Sequence, residues 1–456
     1  MRTRGSFVST SRCQKSWTVV VLVALAFSVL LLPRAPAVPS YTRQTGLACN
    51  VCHTTFPELT PFGRQFKLNG YTLTGMKEII AKSSRTEAGM KLNEFLPVSA
   101  MFQISDTLTN KSQPGTQNRN VEFPQALSVF LAGSMGPKVG SFLQVTYTSV
   151  DDHFTADNTD IRYADHGGLL GKSLTYGLTF NNNPTVEDLW NDTPAWSFPW
   201  AASDSAPTPN ASSILSGSLA QDVAGLGAYA MWNEHLYGVV TAYRSAHIGV
   251  PQPPNGQGAA FNIDGAAPYW RAAWQQNLAK TYLEVGTYGM HLSSFPNSIS
   301  GPTDRFTDVA ADFQWEIPHG RDLLTLHGNY IHENSDLFGS VAAGLASTNS
   351  HHLNQFRGDG VYHFGTRYTA GFGWFNDTGT ADPLLFPAAA VTGSANGSPA
   401  NNGWIAQAGF WPIQNIEVLG QYTGYLKFNG ARHNYDGFGR NASDNNTLYL
   451  LLWFVF

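Results

Sequence analysis

Charge is scarce in this chain. Only 13 % of its 456 residues are Asp, Glu, Lys or Arg, about half the ~25 % usual in soluble domains. A basic surplus is missing as well. The formal net charge is −5, so nothing marks the chain as a partner of nucleic acid. Cysteine is nearly absent, with three residues in all, which excludes a disulfide framework. Downstream of residue 37 no apolar run approaches the ~20 residues of a membrane-spanning helix. Against these absences stand 44 glycines, 13 % aromatics and a mean hydropathy of −0.18. Such a balance arises when apolar and polar residues alternate finely along the chain.

The N-terminus reads as an export signal. Arg2, Arg4, Arg12 and Lys15 precede the uncharged run "WTVVVLVALAFSVLLL", and Ala35 and Ala37 follow in an A-x-A pattern. That order of basic, apolar and small residues predicts cleavage near Val38. Cys13 would leave with residues 1–37, so Cys49 and Cys52 are the expected mature cysteines. Export without a membrane helix leaves the periplasm, the exterior or the outer membrane.

From Leu96 onward the pattern has period two. In "LPVSAMFQIS", Leu96, Val98, Ala100, Phe102 and Ile104 share one face, while Ser99, Met101, Gln103 and Ser105 share the other. Strands do this, and a helix would scatter both sets. "SFLQVTYTS" and "TDVAADFQWEI" repeat the alternation. Tight turns such as "GSMGPK" and "IPHGRD" alternate with long Gly/Ser/Asn/Pro stretches. Hairpin arms number about 16, and tight turns on one side with long loops on the other are the mark of a closed transmembrane β-barrel. At about that size a barrel encloses an aqueous lumen. The predicted fold is therefore mainly β, an antiparallel barrel over 92–456 behind a short α-helical segment at 38–91. The last strand, "NNTLYLLLWFVF", ends on Phe456, and a terminal aromatic resembles the assembly signal of outer-membrane barrels.

Chemistry is concentrated ahead of the barrel. Cys49, Cys52 and His53 form the one C-x-x-C-H of the chain. In an exported protein this spacing predicts a covalent c-type haem. Two thiols two residues apart can bond one porphyrin edge while the adjacent imidazole ligates the iron. A Cys49–Cys52 disulfide would close a very small loop. A thioredoxin-like site lacks its βαβ context, and a zinc site lacks further ligands at compact spacing. The following "TPFGRQFKLNG" reads as a short helix, with Thr60 as cap, Pro61 in its first turn and Gly70 at its exit. Leu59, Phe62 and Phe66 fall on one face, suited to a porphyrin or a small core. Arg64 and Lys67 are either propionate partners or solvated. Met76 is the nearest downstream methionine for the distal position, with Met90 and Met101 behind it.

A signal sequence, one haem motif and a porin-like barrel in one chain resemble the fused cytochrome–porin family of outer-membrane iron oxidases. The likeness is sharpest at Ala37–Thr72 and at "NNNPTVEDLWNDTPAW", Asn181–Trp196. It implies one haem c held by Cys49, Cys52 and His53, with His53 also the metal ligand. It further implies electrons taken from extracellular Fe(II) and passed to a periplasmic carrier. An apolar band about 25 Å tall is a poor tunnelling path without an intermediate cofactor. Two rivals stand beside this expectation. One keeps the architecture but changes the redox partner or the direction of flow. The other is a diffusion porin whose haem unit is a plug or sensor. The expected surroundings are outer-membrane lipid, with no nucleic acid. The loop from Asn181 to Ser213 is expected to be extracellular and able to fold inward. Glu187, Asp188 and Asp192 there, and Asp151, Asp152 and Asp157 after the third strand, are hard oxygen donors for iron or ordinary solvated acids.

Overall fold

The computed structural model describes residues 40–76, 78–83, 86–149, 152–246 and 261–456. The predicted leader at 1–37 and Asp151 lie outside these, as does the side chain of Met90. The described residues form one compact unit.

The alternation closes into a barrel. The main sheet has seventeen strands, one being a two-residue piece, Asn262–Ile263, laid along its neighbour. The remaining sixteen run β1 (Val98–Thr109), β2 (Asn120–Gly136), β3 (Val139–Thr148), β4 (His153–Leu169), β5 (Lys172–Asn181), β6 (Val223–Trp232), β7 (Leu236–Ser245) and β8 (Ala267–Leu278). They continue as β9 (Thr281–Phe295), β10 (Asp304–His319), β11 (Asp322–Asp336), β12 (Ser350–Phe364), β13 (Tyr368–Gly379), β14 (Asn401–Ile413), β15 (Ile416–Lys427) and β16 (Thr447–Val455). Every pairing is antiparallel, and β16 pairs with β1 from Thr447↔Thr109 to Val455↔Met101. Phe456 completes that seam by exchanging backbone hydrogen bonds with Ala100 at 2.6 and 2.9 Å. A closed ring leaves no unpaired edge, which lipid requires.

The side chains sort as the period demands. Along β1, Ser99, Met101, Gln103, Ser105, Thr107 and Thr109 are buried in the lumen. Exposed positions elsewhere carry Val129, Leu131, Leu178, Phe180, Leu226, Val240, Trp274, Phe313, Trp315 and Leu450. An apolar exterior around a polar interior is stable only where the outside solvent is hydrocarbon. This is a bacterial outer-membrane barrel. Among the described residues no helix is long and apolar enough to cross a membrane, and the strands do so instead.

One expectation changes at the third connection. It is short, because β4 begins at His153. Asp157 therefore lies inside a strand, where it takes hydrogen bonds from Thr146 and Gln221. Asp152 accepts from the Tyr147 hydroxyl at 2.8 Å.

The lumen is largely filled. Three short helices, α1 (Ser40–Thr45), α2 (Cys49–Cys52) and α3 (Pro61–Leu68), enter it ahead of a hairpin at Glu78–Asn93. From the other end the 182–222 loop folds in, with Val186, Glu187, Asp188 and Trp190 fully buried. Leu68, Leu189, Trp190 and Leu215 pack there with inward Tyr229, Tyr237, Tyr269 and Tyr288, forming the main apolar core. This core fills the β6–β11 side of the lumen.

Candidate functional site

The segment at 40–71 is held at the short-turn end of the barrel, which faces the periplasm in outer-membrane barrels. Gln44 Nε2 donates to the Ala132 carbonyl at 2.9 Å, and its Oε1 accepts from Ser134 N at 3.1 Å. Tyr41 donates to Ser141 O at 2.5 Å, and Arg43 donates to Val98 O. Cys49 N donates to Gln414 Oε1 in the β14–β15 turn at 3.2 Å.

Local sequence explains the turn that carries the cysteines. Thr60 caps α3 by accepting from Gly63 N at 3.2 Å. It also donates to Val51 O at 2.5 Å, and its own N–H reaches Cys52 O at 2.9 Å. One residue thus starts the helix and fixes the cysteine turn against it. Gly63 permits the contact, since a Cβ there would lie 2.2 Å from Cys52 O. At the far end Gly70 adopts φ +66°, and Tyr71 N and Gly70 N bond back to Phe66 O and Lys67 O. This doubly bonded left-handed exit is the one glycine favours.

Cys49, Cys52 and His53 share the wall of one cavity of about 590 Å³, within the ~300–1,000 Å³ usual for ligand pockets. Both thiols are free. Burial pushes the Cys52 thiol up to about 11. Burial also lowers His53 to about 4, so the imidazole is neutral at pH 7. His53 Nδ1 lies 3.3 Å from the Glu58 carbonyl. Phe56 packs on the His53 ring at 4.8 Å and touches Trp411 and Trp453 at 5.5 and 6.3 Å. The indole N–H of Trp453, which lines the cavity, lacks a hydrogen-bond partner.

The cavity runs along the β1–β4 and β16 side of the lumen. Its lining extends from Ser99 and Val455 near the short turns to Thr148, Asp157 and Asp204 toward the long loops. Leu59, Phe62 and Phe66 line it as one face. Arg64 and Lys67 do not serve as free cations. Arg64 is buried and paired with Glu316. Lys67 donates to Val186 O, Asp188 O and Asn191 Oδ1 at 2.8, 2.5 and 2.8 Å. It therefore ties α3 to the inward loop, while burial pulls its ammonium down to about 7.

The methionines separate clearly. Met76 Sδ accepts from Leu73 N at 3.2 Å within its own turn and does not line the cavity. Met101, 7 % exposed on β1, does line it. The strand period already placed Met101 inward, but no local signal ranked it above Met76. Sequence reading also missed Glu58. This residue is 2 % exposed, with Oε2 3.0 Å from His363 Nε2, outside hydrogen-bond geometry, and Oε1 3.8 Å from His327 Nε2. Its carboxylate takes the Thr54 hydroxyl at 2.7 Å. Burial by itself would raise the Glu58 carboxyl, but His363, His327 and Thr54 bring it down to about 2.

No family model and no curated protein matches the chain. Among solved structures it is similar to OmpF of Salmonella typhi in complex with daunomycin, at 12 % identity and TM-score 0.46 over 83 % of this chain and all of that one. The outer-membrane channel DcaP of Acinetobacter baumannii gives 10 % and 0.46 over 83 % and 100 %. OmpT of Vibrio cholerae gives 8 % and 0.41 over 79 % and 96 %. At such identities the likeness extends to no residue role. The ring of strands and its apolar exterior define a porin-like outer-membrane barrel. In this barrel the N-terminal helices and the inward loop occupy the lumen.

Proposed function

We propose that this barrel is an outer-membrane electron-transfer protein. It takes electrons from an extracellular donor, Fe(II) in the leading reading, and delivers them to a periplasmic carrier through one haem c. The observation that carries this is the C-x-x-C-H turn lining an apolar cavity inside an otherwise filled barrel. Cys49 and Cys52 would hold the haem by thioethers, and His53 would bind its iron through Nε2. The residues fit such a group. Both thiols are free, and the Nδ1 contact to Glu58 O is the outer-sphere arrangement of ligating histidines. The orphan indole N–H of Trp453 suits an acceptor oxygen on the group. When bound, a haem supplies a one-electron iron couple. Leu59, Phe62 and Phe66 keep water from that side of the cavity, and Asp157 and Asp204 place carboxylates at its far end, where a cationic donor would be attracted.

The second reading is a diffusion porin, which the barrel itself suits. The buried loop and the helices narrow the lumen to the cavity that Cys49, Cys52 and His53 line.

The full chain should be made in a host that matures c-type cytochromes. A covalent haem spectrum is expected, lost in Cys49→Ser/Cys52→Ser. Covalent haem surviving that double change refutes the cofactor assignment. Reduction of the oxidised, membrane-embedded protein by Fe(II) is the functional test. An unchanged spectrum there, with solute flux through reconstituted membranes, would favour the porin.

A further inference from the structure

The filled side of the lumen holds an unbalanced charge cluster. Asp188 and Asp192 on the inward loop, Glu284 on β9 and Asp312 on β10 all lie within 3.7 Å of Arg271 on β8. All five side chains are fully buried. One guanidinium faces four carboxylates, and Lys67 beside them is spent on the oxygens of the loop. Asp188 is well satisfied, accepting from Trp190 N, Asp192 N, Thr193 N and Thr193 Oγ1 at 3.0–3.2 Å. Arg271 grips Asp312 with two bonds of 2.7 Å and reaches Glu284 Oε1 at 3.1 Å. The remaining oxygens are orphans. Neither oxygen of Asp192, nor Glu284 Oε2, has a hydrogen-bond partner. Uncompensated buried charge costs several kcal/mol per ion, so the deficit must be met by a cation or by protons.

The spacing admits a cation. One carboxylate oxygen each from Asp192, Glu284 and Asp312 lies within 4.8 Å of the others. A cation between them can approach the ~2.0–2.6 Å that Mg²⁺ and Ca²⁺ keep from oxygen. Glu284 and Asp312 face inward on paired strands, Glu284 opposite Gln314 and Asp312 opposite Gly286. Gly286 keeps the space open, since a Cβ there would stand 2.7 Å from Asp312 Oδ1 and 2.8 Å from Glu284 Oε1. We propose that Asp192, Glu284 and Asp312 hold one hard divalent cation that staples the inward loop to the barrel wall. All-oxygen donors select Mg²⁺, Ca²⁺ or Mn²⁺. The site is independent of the haem reading and separate from the thiol cavity.

Mn²⁺ is the probe. The full chain is produced with Mn²⁺ supplied, purified without chelator and desalted, and bound metal is counted by mass spectrometry. Electron paramagnetic resonance then distinguishes immobilised from free ion. Close to one divalent ion per chain is expected, falling at least about tenfold in Asp192→Asn and in Glu284→Gln. Either variant that retains the heat-modifiable migration of a folded barrel decides the matter. Metal-free wild type overturns the proposal and leaves the charge to protons, and stoichiometry unchanged in a folded variant overturns it as surface binding. Wild type also gives an answer by itself. Prolonged chelation should lower its melting temperature, and Mn²⁺ should restore it; unchanged melting counts against the staple.

Discussion

Glu58→Gln tests whether the N-terminal segment is locked into the barrel by charge. The amide keeps an acceptor for Thr54 but removes the negative charge between His363 and His327. In the folded chain the Glu58 carboxyl falls from 4.5 to about 2. At about 1.4 kcal/mol per pH unit, this corresponds to roughly 3 kcal/mol of docking free energy. Deleting one partner of a buried pair costs about 3–5 kcal/mol in other proteins, which agrees. Because the folded value is depressed, the contribution is present above pH 4.5 and fades as pH falls toward 2. Hydrogen exchange of backbone amides at 49–71, corrected for intrinsic rate, reads the local opening, with the barrel strands as internal reference. Glu58→Gln should raise exchange of the segment about 100-fold at pH 7. Wild type should approach the variant as pH drops below 4. Protection within about twofold of wild type at pH 7, over unchanged strands, would refute the lock.

Further consequences follow from the same contacts. Gly63→Ala puts a methyl against the Cys52 carbonyl; it should cut covalent haem yield while leaving barrel folding intact. Lys67→Met deletes three bonds to the loop but relieves a buried charge, so loosening of about 1–3 kcal/mol is expected, visible as faster exchange at 182–192. On the haem reading, Met101, the methionine that lines the cavity, is the candidate distal ligand; Met101→Leu should then change the haem spectrum and lower its potential, since a methionine ligand raises it. Met76→Leu should leave both unchanged, and the opposite pattern would return the distal role to Met76.

Local rules decided much of this protein. Alternation specifies strands, because a one-residue slip would turn polar Ser105 and Thr107 into lipid and apolar Phe102 and Ile104 inward. Cap and exit chemistry at Thr60, Pro61 and Gly70 specifies α3 within its own few residues. The C-x-x-C-H turn is likewise a short-range pattern, so its three residues could be named before any fold was known. What packs against that turn was not legible. Arg64 looks like any surface cation on its helix, and only closure of the ring brings Glu316 to it across 252 positions. Glu58 meets His327 and His363 for the same reason, and Asp192 meets Glu284 and Asp312 because its loop turns inward. Sequence by itself determined which way each strand residue faces and where the cysteine turn sits, since both depend on neighbours a few residues apart. Tertiary structure decided which charges meet, which methionine reaches the cavity and how much of the lumen stays open, because those contacts exist only once distant strands form one wall.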